Sequence, residues 1–202
     1  MGDLEKLSVG VVGACGRGGS FKTVFDQLDA VRIHAVCDTN EACLHEAGLR
    51  LGASEEYADY ETMLAESDVD AVILGTPMPF HVPQAIAALE RGIHVLSEVP
   101  AGVSLEECHD LVVACRQSEA LYMMAENCTY TRPNVLVREM VRQGLFGTPY
   151  YAEGEYLHEL KELNEITRWR RKWQTGTNGI SYGTHSLGPI LQWMSGDRVR
   201  AV

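Results

Sequence analysis

The stretch LSVGVVGACGRGG, residues 7–19, decides the fold class of this chain of 202 residues. Its first part, Leu7–Val12, is short and valine-rich, which predicts a buried β-strand. Glycines follow at once, and a helix-sized segment comes after them. Such a turn lets backbone N–H groups approach a phosphate closely. The match to G-x-G-x-x-G is imperfect, because Gly13 and Gly18 fill the first and third glycine places while Cys15 fills the second and Gly16 follows it.

An acidic residue at the end of the second predicted strand favours a dinucleotide site over a plain tight turn. Val31–Cys37 alternates as a strand does and is followed by Asp38. Counted from Gly13, Asp38 lies close to the spacing of roughly 20 residues at which an acid accepts hydrogen bonds from an adenosine ribose. Thr39 and Asn40 come next, without a Lys or Arg to pair with a 2′-phosphate. The sequence therefore favours NAD over NADP.

Short apolar runs alternate with amphipathic segments up to residue 125. The remaining predicted strands and helices are, in chain order, Glu41–Leu51 (helix), Tyr60–Glu66 (helix), Ala71–Leu74 (strand), Val82–Arg91 (helix), Ile93–Leu96 (strand), Ser104–Gln117 (helix) and Leu121–Ala125 (strand). Ser104 and Glu107 form the pattern of a capping box. Repeated strand–helix–strand units predict an α/β fold, a Rossmann-type doubly wound parallel sheet over residues 1–125 that binds NAD(P).

The pattern changes after residue 125. A helix is predicted from Pro133 to near Gly144, and Tyr150–His158 alternates as a strand would. Another strand is predicted to begin in Arg198–Val202. We expect a second domain to start at residue 126 and to be unfinished at residue 202, as in a truncated chain.

Composition and charge argue against several function classes. The formal net charge is −11 and the only basic cluster is Arg168–Lys172, so we expect no nucleic-acid partner and no membrane-surface partner. The six cysteines are single, without a C-x-x-C. No apolar stretch approaches the roughly 18 residues of a membrane helix, and no signal pattern precedes the first strand. We expect reduced thiols and a cytoplasmic location.

Candidate ligand-binding residues follow the later predicted strands, where a doubly wound sheet binds its ligands. They are Thr76, Pro77 and His81 after Ala71–Leu74, Glu98 after Ile93–Leu96, and Asn127 and Tyr130 after Leu121–Ala125. A single histidine is often structural, and that alternative stays open for His81. Further on, Tyr182 and His185 lie three residues apart at a predicted helix entrance, a spacing that suits acid–base chemistry.

Other catalytic patterns are missing from the sequence. The histidines have no ligand-like spacing and no H-E-x-x-H occurs, so we predict no metal site. A G-x-S-x-G elbow is absent as well. Glu153 and Glu155 share one face of the predicted strand, a pattern that more often marks a solvated face than a catalytic pair.

In combination, these motifs resemble the Gfo/Idh/MocA family of oxidoreductases over nearly the whole chain. The motifs are the glycine turn, Thr76-Pro77 with His81, Ala85–Glu98 running into Pro100, Val137–Gly147, and His185. Family dehydrogenases usually read Glu-Lys-Pro where this chain has Glu98-Val99-Pro100, and an aspartate where it has Ser181. Valine can neither donate nor accept the proton of a substrate hydroxyl.

One branch of that family, the NAD-dependent glycosidases of the N-acetylgalactosaminidase type, is similar to this chain at further positions. They are Glu98-Val99-Pro100-Ala101, Glu126-Asn127-Cys128 with Tyr130, Gly154 with Tyr156 and His158, Tyr182-x-Thr184-His185, and Gly188-Pro189, whereas Gly183 stands where the branch usually has proline. The resemblance implies transient oxidation of a sugar hydroxyl at carbon 3, elimination, addition of water and return of the hydride, with no net redox.

The resemblance implies that residues 126–202 are the start of a C-terminal substrate and oligomerisation domain, an incomplete α/β open-sheet domain. It also implies the following site residues. The catalytic candidates are Tyr130, Tyr182 and His185, and the cofactor-binding candidates are Gly13, Cys15, Gly16, Arg17, Gly18, Asp38, Thr76, Pro77, His81, Glu98 and Asn127. The expected function is oxidation of a sugar or polyol hydroxyl with NAD, NADP being disfavoured. The alternatives are an NAD-dependent glycoside hydrolase and a non-catalytic nucleotide-binding protein. We expect a small-molecule carbohydrate or polyol as substrate and a homo-oligomer in the full-length protein.

Overall fold

A computed structural model describes residues 6–157, 159, 161–169, 182–196 and 198–200. The chain divides into two compact units, residues 1–125 and residues 126–202. Each unit is described by itself below.

The first unit is a six-stranded parallel sheet with helices in its crossovers. The strands are β1 (Leu7–Val12), β2 (Val31–Cys37), β3 (Glu55–Tyr57), β4 (Ala71–Leu74), β5 (His94–Ser97) and β6 (Tyr122–Met124), in the order β3-β2-β1-β4-β5-β6. The helices are α1 (Lys22–Phe25), α2 (Glu41–Leu51), α3 (Tyr60–Glu66), α4 (His81–Leu89) and α5 (Leu105–Gln117). The order reverses at β1 and β4, the switch point at which such sheets bind ligands.

Both faces of the sheet are buried, which explains the continuous apolar strands. Along β1, Val9 and Val11 pack in one apolar cluster with Ile73, while Val12 packs in a second cluster with Val72. Side chains of a strand alternate between faces, so a strand covered on both sides carries apolar residues at nearly every position. The predicted parallel Rossmann-type sheet is confirmed.

Two details of the first unit differ from the sequence expectation. The helix-sized segment after the glycine turn holds only a 3₁₀ turn, Gly18–Phe21, followed by the short α1. The edge strand β3 was not predicted, because three residues, two of them glutamates, give no apolar alternation to read. The predicted cap of α5 is present: Ser104 Oγ accepts from the N–H of Glu107 at 3.1 Å.

The second unit is helical over its described residues. It contains a 3₁₀ turn, Cys128–Tyr130, and helices α6 (Arg132–Arg142), α7 (Lys161–Ile166) and α8 (Gly183–Trp193). Helix α8 packs against the 3₁₀ turn and α6, and Trp193 Nε1 donates to the carbonyl of Asn134 at 3.1 Å.

The strand predicted at Tyr150–His158 is wrong over its described part, residues 150–157, which has no strand structure. A strand needs a neighbour to complete its backbone hydrogen bonds, and the described part of this unit supplies none. Residues 198–200 are not a strand either, while His158 and residues 201 and 202 lie outside the described residues.

The expectation of six reduced thiols is wrong for one pair. Cys15 and Cys43 form a disulfide although 28 residues separate them, because the fold brings their Cα atoms to 6.1 Å. Cys37, Cys108 and Cys115 are free thiols, as is Cys128. Among the helices that the structure describes, none has the length and apolar character to cross a membrane.

Candidate functional site

The glycine turn after β1 has a backbone conformation that side chains would prevent. Gly13 has φ of +75°, and a Cβ there would lie 2.6 Å from the carbonyl oxygen of Gly75. A Cβ on Gly18 would lie 2.9 Å from the carbonyl oxygen of Gly13. Because backbone packs directly on backbone, the turn is closed tightly against the loop after β4. Gly16, by contrast, lies on the solvent-exposed side of the turn. A turn of this shape, at the carboxyl end of β1, fits the pyrophosphate of a dinucleotide.

The carboxylate of Asp38 is fixed between two backbone donors. Its Oδ2 accepts from the N–H of Cys15 at 2.9 Å, and its Oδ1 accepts from the N–H of Asn40 at 2.9 Å. Each carboxylate oxygen has a second lone pair, so Asp38 can still accept hydrogen bonds from a ribose diol. The turn and the acid predicted from the sequence therefore lie together.

Arg17 and Glu98 form an ion pair beside the same turn. Arg17 Nε lies 2.6 Å from Glu98 Oε1, and the Glu98 side chain is 9% exposed while that of Arg17 is 50% exposed. Glu98 Oε2 also accepts from the N–H of Val99 at 3.2 Å. The arginine lies over the ring of Phe21, 5.5 Å from its centroid. The pair links the glycine turn to the loop after β5, and it leaves the positive charge on the solvent side.

His81 holds two loops together. It is 1% exposed, its Nδ1 lies 2.8 Å from the carbonyl oxygen of Pro100, and its Nε2 lies 2.8 Å from that of Thr76. The Thr76 hydroxyl pairs with Gln84 Oε1 at 2.6 Å. This geometry favours the structural alternative for His81, and direct cofactor contacts of Thr76, Pro77 and His81 stay predictions.

A buried acid–histidine pair lies in the second unit. His185 Nδ1 is 2.8 Å from both carboxylate oxygens of Glu126, and both side chains are 7% exposed. The N–H of Cys128 donates to Glu126 Oε1 at 2.8 Å. A carboxylate facing Nδ1 assigns the ring proton to that nitrogen, which leaves the lone pair of Nε2 as a base.

Two tyrosine rings surround this histidine. The centroid of Tyr156 lies 4.8 Å from that of His185 in an edge-on contact, and Tyr182 stacks on His185 at 5.3 Å. Burial, with smaller effects from Cys128, Tyr182 and Glu126, raises the pKa of Tyr156. A tyrosine phenol is protonated at neutral pH in any case, and the raised pKa makes this one a weaker acid.

Two small residues allow the chain to approach α8 at this cluster. A Cβ on Gly154 would lie 2.8 Å from the carbonyl oxygen of Ser186, and one on Gly188 would lie 3.2 Å from Glu126 Cγ. The first close contact brings the segment that carries Tyr156 against α8, and the second brings Glu126 there. Glycine at both positions is thus a packing requirement of the cluster.

The predicted pair of Tyr182 and His185 is brought together, whereas Tyr130 is 56% exposed and takes no part in the ring contacts described here. Asn127 is exposed at the start of the 3₁₀ turn. Sequence reasoning did not select Glu126 or Tyr156 as site residues. Two signals were available: Glu126 directly follows an apolar strand run, and both residues lie in motifs that resemble the glycosidase branch.

The argument from sequence spacing also missed three residues that could together act as metal ligands. Ligand atoms of Glu126, Cys128 and His185 lie within 4.8 Å of one another, although the residues are far apart in the sequence. The hydrogen bond from His185 to Glu126 joins two of the three directly, so an ion would have to replace it. Ser181, where family dehydrogenases usually have an aspartate, lies outside the described residues.

Together, the parallel sheet, the glycine turn and Asp38 define a Rossmann-type dinucleotide-binding protein. The chain belongs to the Gfo/Idh/MocA family: residues 7–126 match the family model described as "Oxidoreductase family, NAD-binding Rossmann fold". Residues 130–201 match a second model, "Glycosyl hydrolase 109, C-terminal domain". The resemblance stated from the sequence is thereby confirmed.

Curated relatives and solved structures agree with this assignment. The chain is 37% identical to an alpha-N-acetylgalactosaminidase of Shewanella oneidensis and 35% identical to a glycosyl hydrolase family 109 protein of another Shewanella strain, each over 96% of this chain and 46% of the relative. It thus spans about half the length of these relatives. The WlbA dehydrogenase of Bordetella pertussis, solved with NADH and UDP-GlcNAcA, matches 95% of this chain and 56% of its own, with a TM-score of 0.82 and 26% identity. The myo-inositol 2-dehydrogenase of Lactobacillus plantarum covers 96% of this chain and 58% of its own at 20% identity and a TM-score of 0.84, which shows a common fold.

Proposed function

We propose that this chain carries the NAD site and the proton-transfer groups of an NAD-dependent glycosidase that acts on N-acetylgalactosaminides. The observation that carries the proposal is the buried pair of Glu126 and His185 with the rings of Tyr156 and Tyr182 around it. Tyr156, Tyr182 and His185 lie within the glycosyl hydrolase 109 match, and Glu126 is the last residue of the NAD-binding match. The 37% identical Shewanella oneidensis relative, an alpha-N-acetylgalactosaminidase, suggests the substrate class.

The first unit has the features that NAD requires. Backbone atoms crowd the Cβ positions of Gly13 and Gly18, which closes the turn that would hold a pyrophosphate, and Asp38 is held ready to accept from a ribose diol. No Lys or Arg follows Asp38 directly, which favours NAD over NADP. When bound, NAD takes up and returns a hydride, which no amino-acid side chain can do.

The side chains of the second unit move protons. Nε2 of His185 accepts a proton from the sugar, and the Glu126 carboxylate stabilises the imidazolium that results. Tyr156, whose pKa is raised by burial, keeps its proton and donates a hydrogen bond to a sugar oxygen. These roles lie outside the two-carboxylate scheme of most glycosidases.

The second candidate is net oxidation of a sugar or polyol hydroxyl, the reading to which the sequence first led. The family match and the WlbA dehydrogenase favour it. Val99 argues against it, since this buried side chain stands where the resemblance places a dehydrogenase lysine and can move no proton. The third reading, nucleotide binding without catalysis, gives no reason for a buried Glu126–His185 pair.

The test is incubation of the purified chain with NAD and nitrophenyl α-N-acetylgalactosaminide. We expect nitrophenol release that depends on NAD, without NADH accumulating in proportion. His185→Ala should abolish release while NAD affinity is unchanged. Glu126→Gln should lower turnover by about 10²- to 10⁴-fold, because the imidazolium loses its counter-charge. NADH formation from a free sugar with the glycoside intact would support the dehydrogenase reading instead.

A further inference from the structure

The bridge between Cys15 and Cys43 lies beside the acid that would bind the ribose. Cys15 occupies the second glycine place of the turn, and Cys43 is in the first turn of α2. Their Cα atoms are 6.1 Å apart, inside the range of about 4.4–6.8 Å that a disulfide spans. Both residues are partly exposed, so a small thiol or disulfide can reach the sulfurs.

The bridge connects the two backbone segments that fix Asp38. One segment supplies the N–H of Cys15 to Asp38 Oδ2, and the other supplies the N–H of Asn40 to Oδ1. Asn40 is in turn tied to Cys43, whose N–H donates to the Asn40 carbonyl at 3.1 Å. The covalent link therefore closes a ring of contacts around the carboxylate.

One hydrogen bond joins α2 to the turn independently of the bridge: Arg50 Nη2 donates to the carbonyl of Ala14 at 3.0 Å. The N–H groups of Gly13 and Ala14 also donate to the carbonyl of Cys37, at 2.9 and 3.3 Å, so the turn stays beside β2 when the disulfide opens. What the open form gains is freedom of the donors at Cys15 and Asn40 relative to the carboxylate. Ligand binding must then order them again, and that ordering costs affinity.

We propose that Cys15 and Cys43 form a reversible thiol–disulfide switch that sets the affinity of the first unit for NAD, with the oxidised form binding more tightly. The inference rests on the proposed binding of NAD at Asp38. The switch would make the affinity for NAD depend on the ratio of small thiols to small disulfides around the protein.

The oxidant is a low-molecular-weight disulfide. One cysteine thiolate attacks it, forms a mixed disulfide and releases one small thiolate. The second cysteine thiolate attacks the protein sulfur of the mixed disulfide, which closes the Cys15–Cys43 bond and releases the second small thiolate. The protein loses two protons and two electrons, and the small disulfide gains the electrons. A small thiol reverses both steps.

The experiment is calorimetric titration of the whole chain with NAD after equilibration with oxidised or with reduced glutathione. We expect the dissociation constant of the reduced form to be about fivefold higher, the effect of ordering roughly one residue. Mass spectrometry of peptides should find Cys15 linked to Cys43 in the oxidised sample only. Cys43→Ser should bind like the reduced form under both conditions, and Cys108→Ser, a thiol on α5, should respond as the parent does.

Equal affinities in the two states, tighter binding in the reduced state, or absence of the Cys15–Cys43 peptide after oxidation would each overturn the switch while leaving NAD binding intact. Absence of NAD binding in both states would overturn the proposed function together with the switch. Circular dichroism of Cys43→Ser checks that a lower affinity is not a loss of fold.

Discussion

Replacing Gly13 by alanine should damage both the fold and the dinucleotide site, and the structure allows the two causes to be separated. Gly13 has φ of +75°, where an alanine costs about 1–2 kcal/mol. In addition, the new Cβ would lie 2.6 Å from the carbonyl oxygen of Gly75, which is backbone and has little room to move. Overpacking of this kind costs about 1–3 kcal/mol. The free energy of unfolding should therefore fall by about 2–5 kcal/mol.

Two other glycines provide matched controls. Gly52 has φ of +71° at the end of α2 with no atom within 4 Å of a Cβ, so Gly52→Ala isolates the conformational cost of about 1–2 kcal/mol. Gly16 lies in the same turn as Gly13, has no such φ, and a Cβ there would meet its nearest atom at 3.9 Å. Gly16→Ala should therefore change stability by less than about 1 kcal/mol in either direction.

The assay is urea unfolding of the three variants and the parent, followed by NAD titration of those that fold. The expected order of destabilisation is Gly13→Ala, then Gly52→Ala, then Gly16→Ala. Gly52→Ala should keep the parent's NAD affinity, whereas Gly13→Ala should lose most of it because the turn opens. If Gly13→Ala and Gly16→Ala were equally stable, the close packing of the turn on the loop after β4 would be refuted.

Two further predictions concern single carboxylates of the first unit. Asp38→Ala should weaken NAD binding about 10- to 150-fold in calorimetry, since hydrogen bonds to a charged acceptor contribute about 1.5–3 kcal/mol. The control is Asp26→Ala, which removes a carboxylate from an exposed ion pair and should leave NAD binding unchanged. Equal losses of affinity in the two variants would contradict the ribose assignment. Asp59 caps α3, and hydrogen bonds from the side chain and backbone of Thr62 lower its pKa. Its stabilisation is therefore complete above about pH 4 and is lost as the pH falls through the folded-state pKa. Urea unfolding at pH 7 and pH 3 measures this effect: Asp59→Asn should reduce the difference in the free energy of unfolding between the two pH values. A difference equal to that of the parent would argue against the cap.

The first unit was largely predictable because its signals are local. β1, β2 and α2 begin and end where the sequence patterns predicted. β1 is a nearly continuous apolar run because it is buried on both faces, and β2 alternates between apolar and polar residues. Asp38 was predictable from its position after β2. The edge strand β3 was not, because hydrogen bonds to β2 rather than its own residues define it.

The features missed from the sequence depend on contacts between distant residues. Glu126 and His185 are 59 residues apart in the chain, and Cys15 and Cys43 share no spacing pattern that predicts a disulfide. Alternation at Tyr150–His158 was misleading for a related reason. A strand also requires a neighbouring strand, whereas Gly154 and Tyr156 of this segment contact α8 instead.

The choice between hydrolysis and net oxidation depends on which groups can move a proton. In the first unit, Glu98 is engaged by Arg17 and by the N–H of Val99, and Val99 itself is apolar. The second unit has a buried base, a counter-charge that stabilises its protonated form, and a phenol that stays protonated. Hydride transfer alone requires one proton acceptor, whereas elimination and addition of water also require a donor for the leaving group. The Glu126–His185 pair can take up a proton and return it, whereas Val99 can do neither, and on that ground we propose hydrolysis over net oxidation.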